Sequence, residues 1–264
     1  MKQRIITGVI AGLAFITLLV LGDLWYAGLI VLVSIIGYRE YLQMNGFMPY
    51  KLTAAAGLVA LLCLTVPWGL LGITFTFSFT AVTWFAMFVL LFITVASKNK
   101  ITIDQVSVIL LGVVYIGFGF NYMIEARLAE NGLFWTIMVF VCIWASDAGA
   151  YFVGSKLGKH PLWPQISPKK SIEGAIGGVI IAMILALGFA WYSPELLSVG
   201  KALLLGFVIA VVGQIGDLIQ SAYKRVKGIK DTGTLLPGHG GVLDRMDSWL
   251  IVFPFIYLLD LIPN

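Results

Sequence analysis

Residues Ile5 to Tyr38 read IITGVIAGLAFITLLVLGDLWYAGLIVLVSIIGY, and only Gly22-Asp23 breaks the apolar run. A bilayer core takes about 20 residues of helix, and dividing the stretch at that break gives two helices. Merging the two would put every later segment on the opposite side of the membrane. With charges, Gly, Pro and polar clusters as punctuation, helices are expected near 5 to 21 and 25 to 38. Working outward, the same punctuation places further helices near 52 to 68, 75 to 96, 105 to 121, 133 to 153, 174 to 192, 201 to 221 and 249 to 262. The sequence therefore predicts an all-α, polytopic integral membrane protein of about nine transmembrane helices.

Composition agrees. Of 264 residues, 60% are hydrophobic and 11% charged, and the mean hydropathy is +0.98, well outside the range of soluble domains. The apolar blocks do not alternate with polar residues as barrel strands do. Lys2 and Arg4 precede an apolar run that resembles a signal peptide. That run is longer than a typical signal core and no small-residue cleavage site follows, so a retained first helix is expected. Cys63 and Cys142 lie singly inside apolar blocks and read as packing residues.

Charge tests the count of nine. With a cytoplasmic amino terminus, only Arg127 and Lys201 of the 17 basic residues fall outside, as the positive-inside rule asks. Trp25, Trp68, Trp135 and Trp191 then sit at outer helix ends, where such rings prefer the interface. The net charge of +4 is thus topology and not a nucleic-acid signal. Residues 154 to 173 and 222 to 248 form the longer cytoplasmic loops. The chain is expected to be a single membrane-embedded catalytic domain over 1–264, with 1–140 as N-terminal helices and 141–264 carrying the site.

Carboxylates at membrane depth are costly and so point to function. Asp147 and Asp217 lie at the cytoplasmic ends of two apolar spans. Trp144, Asp147, Tyr151 and Gly154 share one helix face, as do Gln214, Asp217, Ser221 and Lys224. Just before the last helix, Asp244 and Asp247 are spaced i, i+3. Together with Asp217 they form an oxygen-donor set suited to Mg²⁺, which takes one or two protein carboxylates and completes its shell with phosphates and water. Taken alone, an Asp-x-x-Asp pair is better read as a charge pair at a helix start. Ser221, Lys224, Arg225, Lys227, Lys230, Asp231, His239, Asp244, Arg245, Asp247 and Ser248 crowd one Gly- and Pro-rich loop, however, and this density suggests phosphates and a metal together. Ser171 is expected to cap the helix that follows it, turning that amino terminus and Lys169-Lys170 towards an anion. No Walker sequence is present.

The runs Ser221-Ala222-Tyr223-Lys224-Arg225, Lys230-Asp231 and Leu236-Pro237-Gly238-His239-Gly240-Gly241-Val242-Leu243-Asp244-Arg245-Met246-Asp247 resemble the signature of the phosphatidate cytidylyltransferases, or CDP-diacylglycerol synthases. Trp144-x-x-Asp147-x-x-Ala150-Tyr151-x-x-Gly154, Ser167-Pro168-Lys169-Lys170-Ser171 and Gln214-x-Gly216-Asp217 are similar to further stretches of that family. The specific likeness runs from about Trp144 to Ser248, with Tyr223 standing where an aliphatic residue or Phe is expected.

The resemblance implies that CTP and phosphatidic acid of the inner leaflet give CDP-diacylglycerol and pyrophosphate, with Mg²⁺ as cofactor. It implies catalytic roles for Asp217, Lys224, Arg225, Asp244, Arg245 and Asp247. Substrate contacts are expected from Lys169, Lys170, Ser171, Ser221, Lys230 and His239, and metal ligation from Asp217, Asp244, Asp247 and Asp147. Membrane lipid is an expected partner and nucleic acid is not; a homodimer is compatible with this reading. The expected location is a bacterial cytoplasmic membrane, crossed many times, with the carboxyl terminus outside. Two rival readings fit less well. A transporter of anions would place its site near the midplane, and the D-G-x-x-A-R pattern of CDP-alcohol phosphatidyltransferases is absent.

Overall fold

The computed structural model describes residues 2–48, 50–73, 78–233 and 240–263, with side chains from residue 8 onward. Among them are nine α-helices: α1 (Lys2–Leu21), α2 (Asp23–Met44), α3 (Lys51–Thr65), α4 (Phe79–Ala96), α5 (Ile103–Leu128), α6 (Gly132–Leu157), α7 (Ile172–Tyr192), α8 (Val199–Lys227) and α9 (Leu243–Leu258). Five of these, α4 to α8, are long and apolar enough to cross a membrane, as a polytopic membrane protein requires. A single turn of 3₁₀ helix covers Trp68–Leu71. Two short strands, β1 (Pro161–Trp163) and β2 (Ser167–Ser171), separate α6 from α7.

The chain forms two compact units, Met1–Glu125 with Asp231–Arg245, and Ala126–Lys230 with Met246–Asn264. In the first, α1 and α2 part at Gly22, where φ is 70°, and Asp23, where φ is 40°. This left-handed conformation suits Gly and is tolerated by Asp. The long apolar run is thus two helices, as expected. Apolar helices gain little from one another in lipid, so polar ties count for more there. The Tyr41 hydroxyl donates to the Val108 carbonyl at 2.9 Å and the Tyr38 hydroxyl to that of Ala54 at 3.4 Å.

In the second unit, α7 packs closely against α6 and α8, with glycines at the tightest approaches. A Cβ added to Gly174 would lie 3.0 Å from the Gly154 Cα, and one added to Gly178 would lie 2.6 Å from the Ser146 carbonyl oxygen. Small residues at a helix interface permit this approach. Start and stop signals are present in the chain itself. Ser171 caps α7 by accepting from the Gly174 amide at 3.1 Å, as its place in the sequence suggests. Gly228, at φ 65°, closes α8, and the Ile229 amide donates to the Lys224 carbonyl at 3.1 Å in the manner of a Schellman end.

Two features depart from the expected elements. Several helices outrun their apolar spans: α8 carries its polar residues on to Lys227 and α9 begins at Leu243. The expected loop 154 to 173 is built largely as the end of α6 and an antiparallel hairpin that pairs Pro161 with Ser171 and Trp163 with Ser167. Glu173 holds that hairpin at its base, accepting from the amides of Lys159 at 3.1 Å and His160 at 3.2 Å and pairing with the His160 ring at 2.5 Å. Arg225 of α8 donates to the Ile166 carbonyl at 3.1 Å and so ties the hairpin turn to that helix.

Candidate active site

In the second unit the ends of α6 and α8, the β2 strand and the start of α7 enclose a cavity of about 240 Å³, lined by Asp147, Ala150, Tyr151, Leu162, Lys169, Lys170, Ser171, Gly174, Ala175, Gln214 and Asp217. The periodicity that placed Asp147 with Tyr151, and Gln214 with Asp217, puts two polar helix stripes on the cavity wall. The hairpin brings Lys169 and Lys170 to the same wall, because its return strand leads straight into α7.

The charges form one connected set. Lys170 Nζ pairs with Asp217 Oδ2 at 2.5 Å, and the Ser221 hydroxyl donates to Asp217 Oδ1 at 3.2 Å. Asp147 lies within electrostatic reach of Asp217 and Lys170. Asp247 lies within reach of Asp217, Lys224 and Asp147, and its Oδ1 accepts from the Ser248 amide at 2.8 Å. Gly216 permits this grouping, because a Cβ there would meet the Asp247 carbonyl oxygen at 2.8 Å and the Ser248 Cα at 3.0 Å. α8 and α9 therefore touch backbone to backbone beside the carboxylates. Like charges held together in this way repel, and a bound cation or a neighbouring lysine offsets that repulsion.

Asp244 belongs to the first unit and has a structural task there. Its Oδ2 accepts from the Thr232 amide at 2.7 Å, the Gly241 amide at 3.0 Å and the Thr232 hydroxyl at 3.0 Å. Beside it is Glu40 of α2, 6% exposed. Glu40 accepts from the Val242 amide at 2.9 Å and the Leu243 amide at 3.1 Å, the unpaired donors of a helix start. The Thr232 hydroxyl also lies 3.2 Å from a Glu40 oxygen, so its one proton is shared between Glu40 and Asp244. Nothing in the sequence flags Glu40 beyond its being a carboxylate next to Arg39 at the end of an apolar span. Arg225, Lys230 and Arg245 do not line the cavity, and His239 lies outside the described residues.

Among the described residues, no three His, Cys, Asp or Glu side chains are gathered closely enough to enclose a metal ion. The donors that are present, the oxygens of Asp147, Asp217 and Asp247, are nevertheless the hard ligands Mg²⁺ takes. Its habit of keeping one or two protein carboxylates and filling the rest with phosphate and water fits this sparse set.

A helical membrane protein that gathers carboxylates and lysines around one small cavity at its helix ends is of the kind that handles phosphate groups. The chain belongs to the cytidylyltransferase family, whose model matches residues 2–262. It is 43% identical to the phosphatidate cytidylyltransferase of Bacillus subtilis (strain 168), over 98% of this chain and 97% of that one. Identity is 36% to the protein of the same name from Staphylococcus haemolyticus (strain JCSC1435), over 98% of each chain. It is 35% to that of Staphylococcus aureus (strain COL), again over 98% of each.

Proposed function

We propose that this protein transfers the cytidylyl group of CTP to phosphatidate, giving CDP-diacylglycerol and pyrophosphate. The single observation that carries the reading is the cavity that joins Lys169 and Lys170 to Asp147 and Asp217 in a chain of this family. A phosphatidate oxygen attacks the α-phosphorus of CTP. The new P–O bond forms as the bond to the β-phosphate oxygen breaks, and pyrophosphate leaves with the electron pair. The attacking oxygen is already anionic, so no general base is required. What the protein supplies is in-line positioning and neutralisation of charge at the phosphates. Lys169 and Lys170 hold phosphate oxygens from the hairpin side and Lys224 and Arg225 from α8, with Lys230 just beyond the end of that helix as a further contact. Asp217 and Asp247, assisted by Asp147, would hold Mg²⁺, which when bound offsets the charge of the triphosphate. Purified protein given labelled CTP, phosphatidate and Mg²⁺ should form CDP-diacylglycerol; its failure to do so would end this reading.

A site of this kind needs acyl chains from the inner leaflet and nucleotide from the cytoplasm, so we place residues 154 to 173 and 222 to 248 in the cytoplasm and the carboxyl terminus outside. A membrane-impermeant thiol reagent added from outside should react with Pro263→Cys and not with Lys227→Cys. The reverse pattern would refute nine crossings.

The hairpin lysines are expected to matter more than a cation placed elsewhere. Lys169→Ala and Lys170→Ala each remove a charge-assisted contact to phosphate worth about 1.5 to 3 kcal/mol, so kcat/KM for CTP should fall roughly tenfold to a hundredfold. Lys98→Ala, in the exposed turn after α4, should leave it unchanged. Equal, small effects in all three would reduce the hairpin lysines to membrane anchors.

A further inference from the structure

We propose that Gln214 reads the nucleotide base, presenting its side-chain oxygen to the exocyclic amino group of cytosine and thereby rejecting uracil. The inference deepens the reaction proposed above and rests on it. A carboxamide has a donating and an accepting end, and here the neighbours decide which is which. Gln214 Nε2 is 3.1 Å from the Ala175 carbonyl oxygen, an atom that can only accept. Turning the group over would set two oxygens against each other. The second Nε2 proton goes to the Ser146 hydroxyl at 3.2 Å. Both protons are spent on neighbouring helices, and Oε1 is the polar atom that Gln214 has left to offer a ligand in the cavity it lines.

The rest of that cavity suits a nucleotide. Lys169 and Lys170 supply the cations that phosphates need. Tyr151 supplies an aromatic face on the same wall and is 71% exposed, and stacking on such a ring accepts any base. A stacking platform and two lysines therefore bind nucleoside triphosphates without choosing among pyrimidines. The choice must come from a polar atom of fixed sense. Cytosine carries a donor at the position where uracil carries a carbonyl oxygen. An acceptor that cannot rotate without giving up two hydrogen bonds pairs with the first and faces the second oxygen to oxygen. Sites that hydrogen-bond a particular substrate group discriminate strongly against analogues that lack it.

The test is the ratio of kcat/KM for CTP to that for UTP, measured with phosphatidate and Mg²⁺ on the purified full chain. Both values come from one preparation, so any loss of folded enzyme cancels. Gln214→Met should lower the ratio at least tenfold. If that variant does not insert, Gln214→Asn, which keeps the amide but withdraws it by one methylene, should lower the ratio by a smaller factor. Tyr151→Leu should raise KM for both nucleotides, by roughly fivefold to a hundredfold, and leave the ratio alone. An equal loss for CTP and UTP in the Gln214 variants would overturn the assignment. So would a loss seen with both ribonucleotides but absent with dCTP, which would place Oε1 on the ribose. A wild-type protein that consumes no CTP with phosphatidate overturns the reaction and this inference with it, whereas an active wild type whose ratio is untouched by Gln214→Met overturns this inference alone.

Discussion

Asp217→Asn and Asp247→Asn should each lower Mg²⁺-dependent formation of CDP-diacylglycerol by on the order of a hundredfold to a thousandfold, the scale on which loss of a single preorganised electrostatic group is felt in a transition state. Asn keeps the shape and removes the charge. Folding should survive. The Lys170–Asp217 pair has side chains 27% and 34% exposed, so solvent still reaches a Lys170 left without its partner, and Asn keeps an oxygen for the Ser221 hydroxyl. The double variant should be little worse than either single one, because groups that hold one ion lose most of their effect with the first deletion. Asp104→Asn, at the exposed start of α5, is the control. Asp244→Asn tests the fold instead, since that carboxylate accepts from two backbone amides of its own unit. Near-normal turnover with unchanged Mg²⁺ dependence in Asp217→Asn and Asp247→Asn would remove them from the metal site.

Glu40→Ala is expected to be the most damaging change to stability. The carboxylate is buried and accepts from two backbone amides, with a threonine hydroxyl beside it. Its removal leaves the Val242 and Leu243 amides unpaired, at about 1 to 3 kcal/mol for each orphaned donor. A total of about 2 to 6 kcal/mol is a large share of a protein's margin, and the cost falls on the Asp231–Arg245 segment that carries Asp244. Glu40→Gln should be milder, because its oxygen still accepts from one amide while its NH₂ faces the other. Thermal unfolding in detergent measures both, and a Glu40→Ala midpoint equal to that of the wild type would show that the segment is held by other means.

The sequence is informative where one rule acts locally. The break at Gly22-Asp23 is visible because Gly and Asp are the residues that a left-handed turn admits, and the Ser171 cap because a hydroxyl precedes a helix start. The stripes through Asp147 and Asp217 follow from helical period alone. Helix ends were harder to read. Hydropathy marks where lipid stops, but hydrogen bonding carries α8 through Ser221 and Lys224 as far as Gly228. The hairpin leaves little trace in the sequence, because Pro161, Pro164 and Pro168 break any strand pattern. Proline is nevertheless tolerated at the edges of so short a ladder. Pairings between distant residues leave no local trace. Lys170 and Asp217 are brought together only by the packing of α7 on α8. Glu40 meets Val242 across most of the chain, so its importance cannot be seen from Arg39 and Tyr41 beside it.

Where Gly174 meets Gly154 and Gly178 meets the Ser146 carbonyl, α6 and α7 touch at the main chain, and beside those points Val153 packs on Gly177 and Ile181 on Gly149. The two helices form a closely packed pair. Asp147 rides on one member of it, and the other begins directly after Lys170 and Ser171. The spacing between carboxylate and lysine backbone is thus set in large part by main-chain contact at these glycines. A larger residue at Gly174 or Gly178 would therefore push the two helices apart and widen the gap between Asp147 and the lysine backbone.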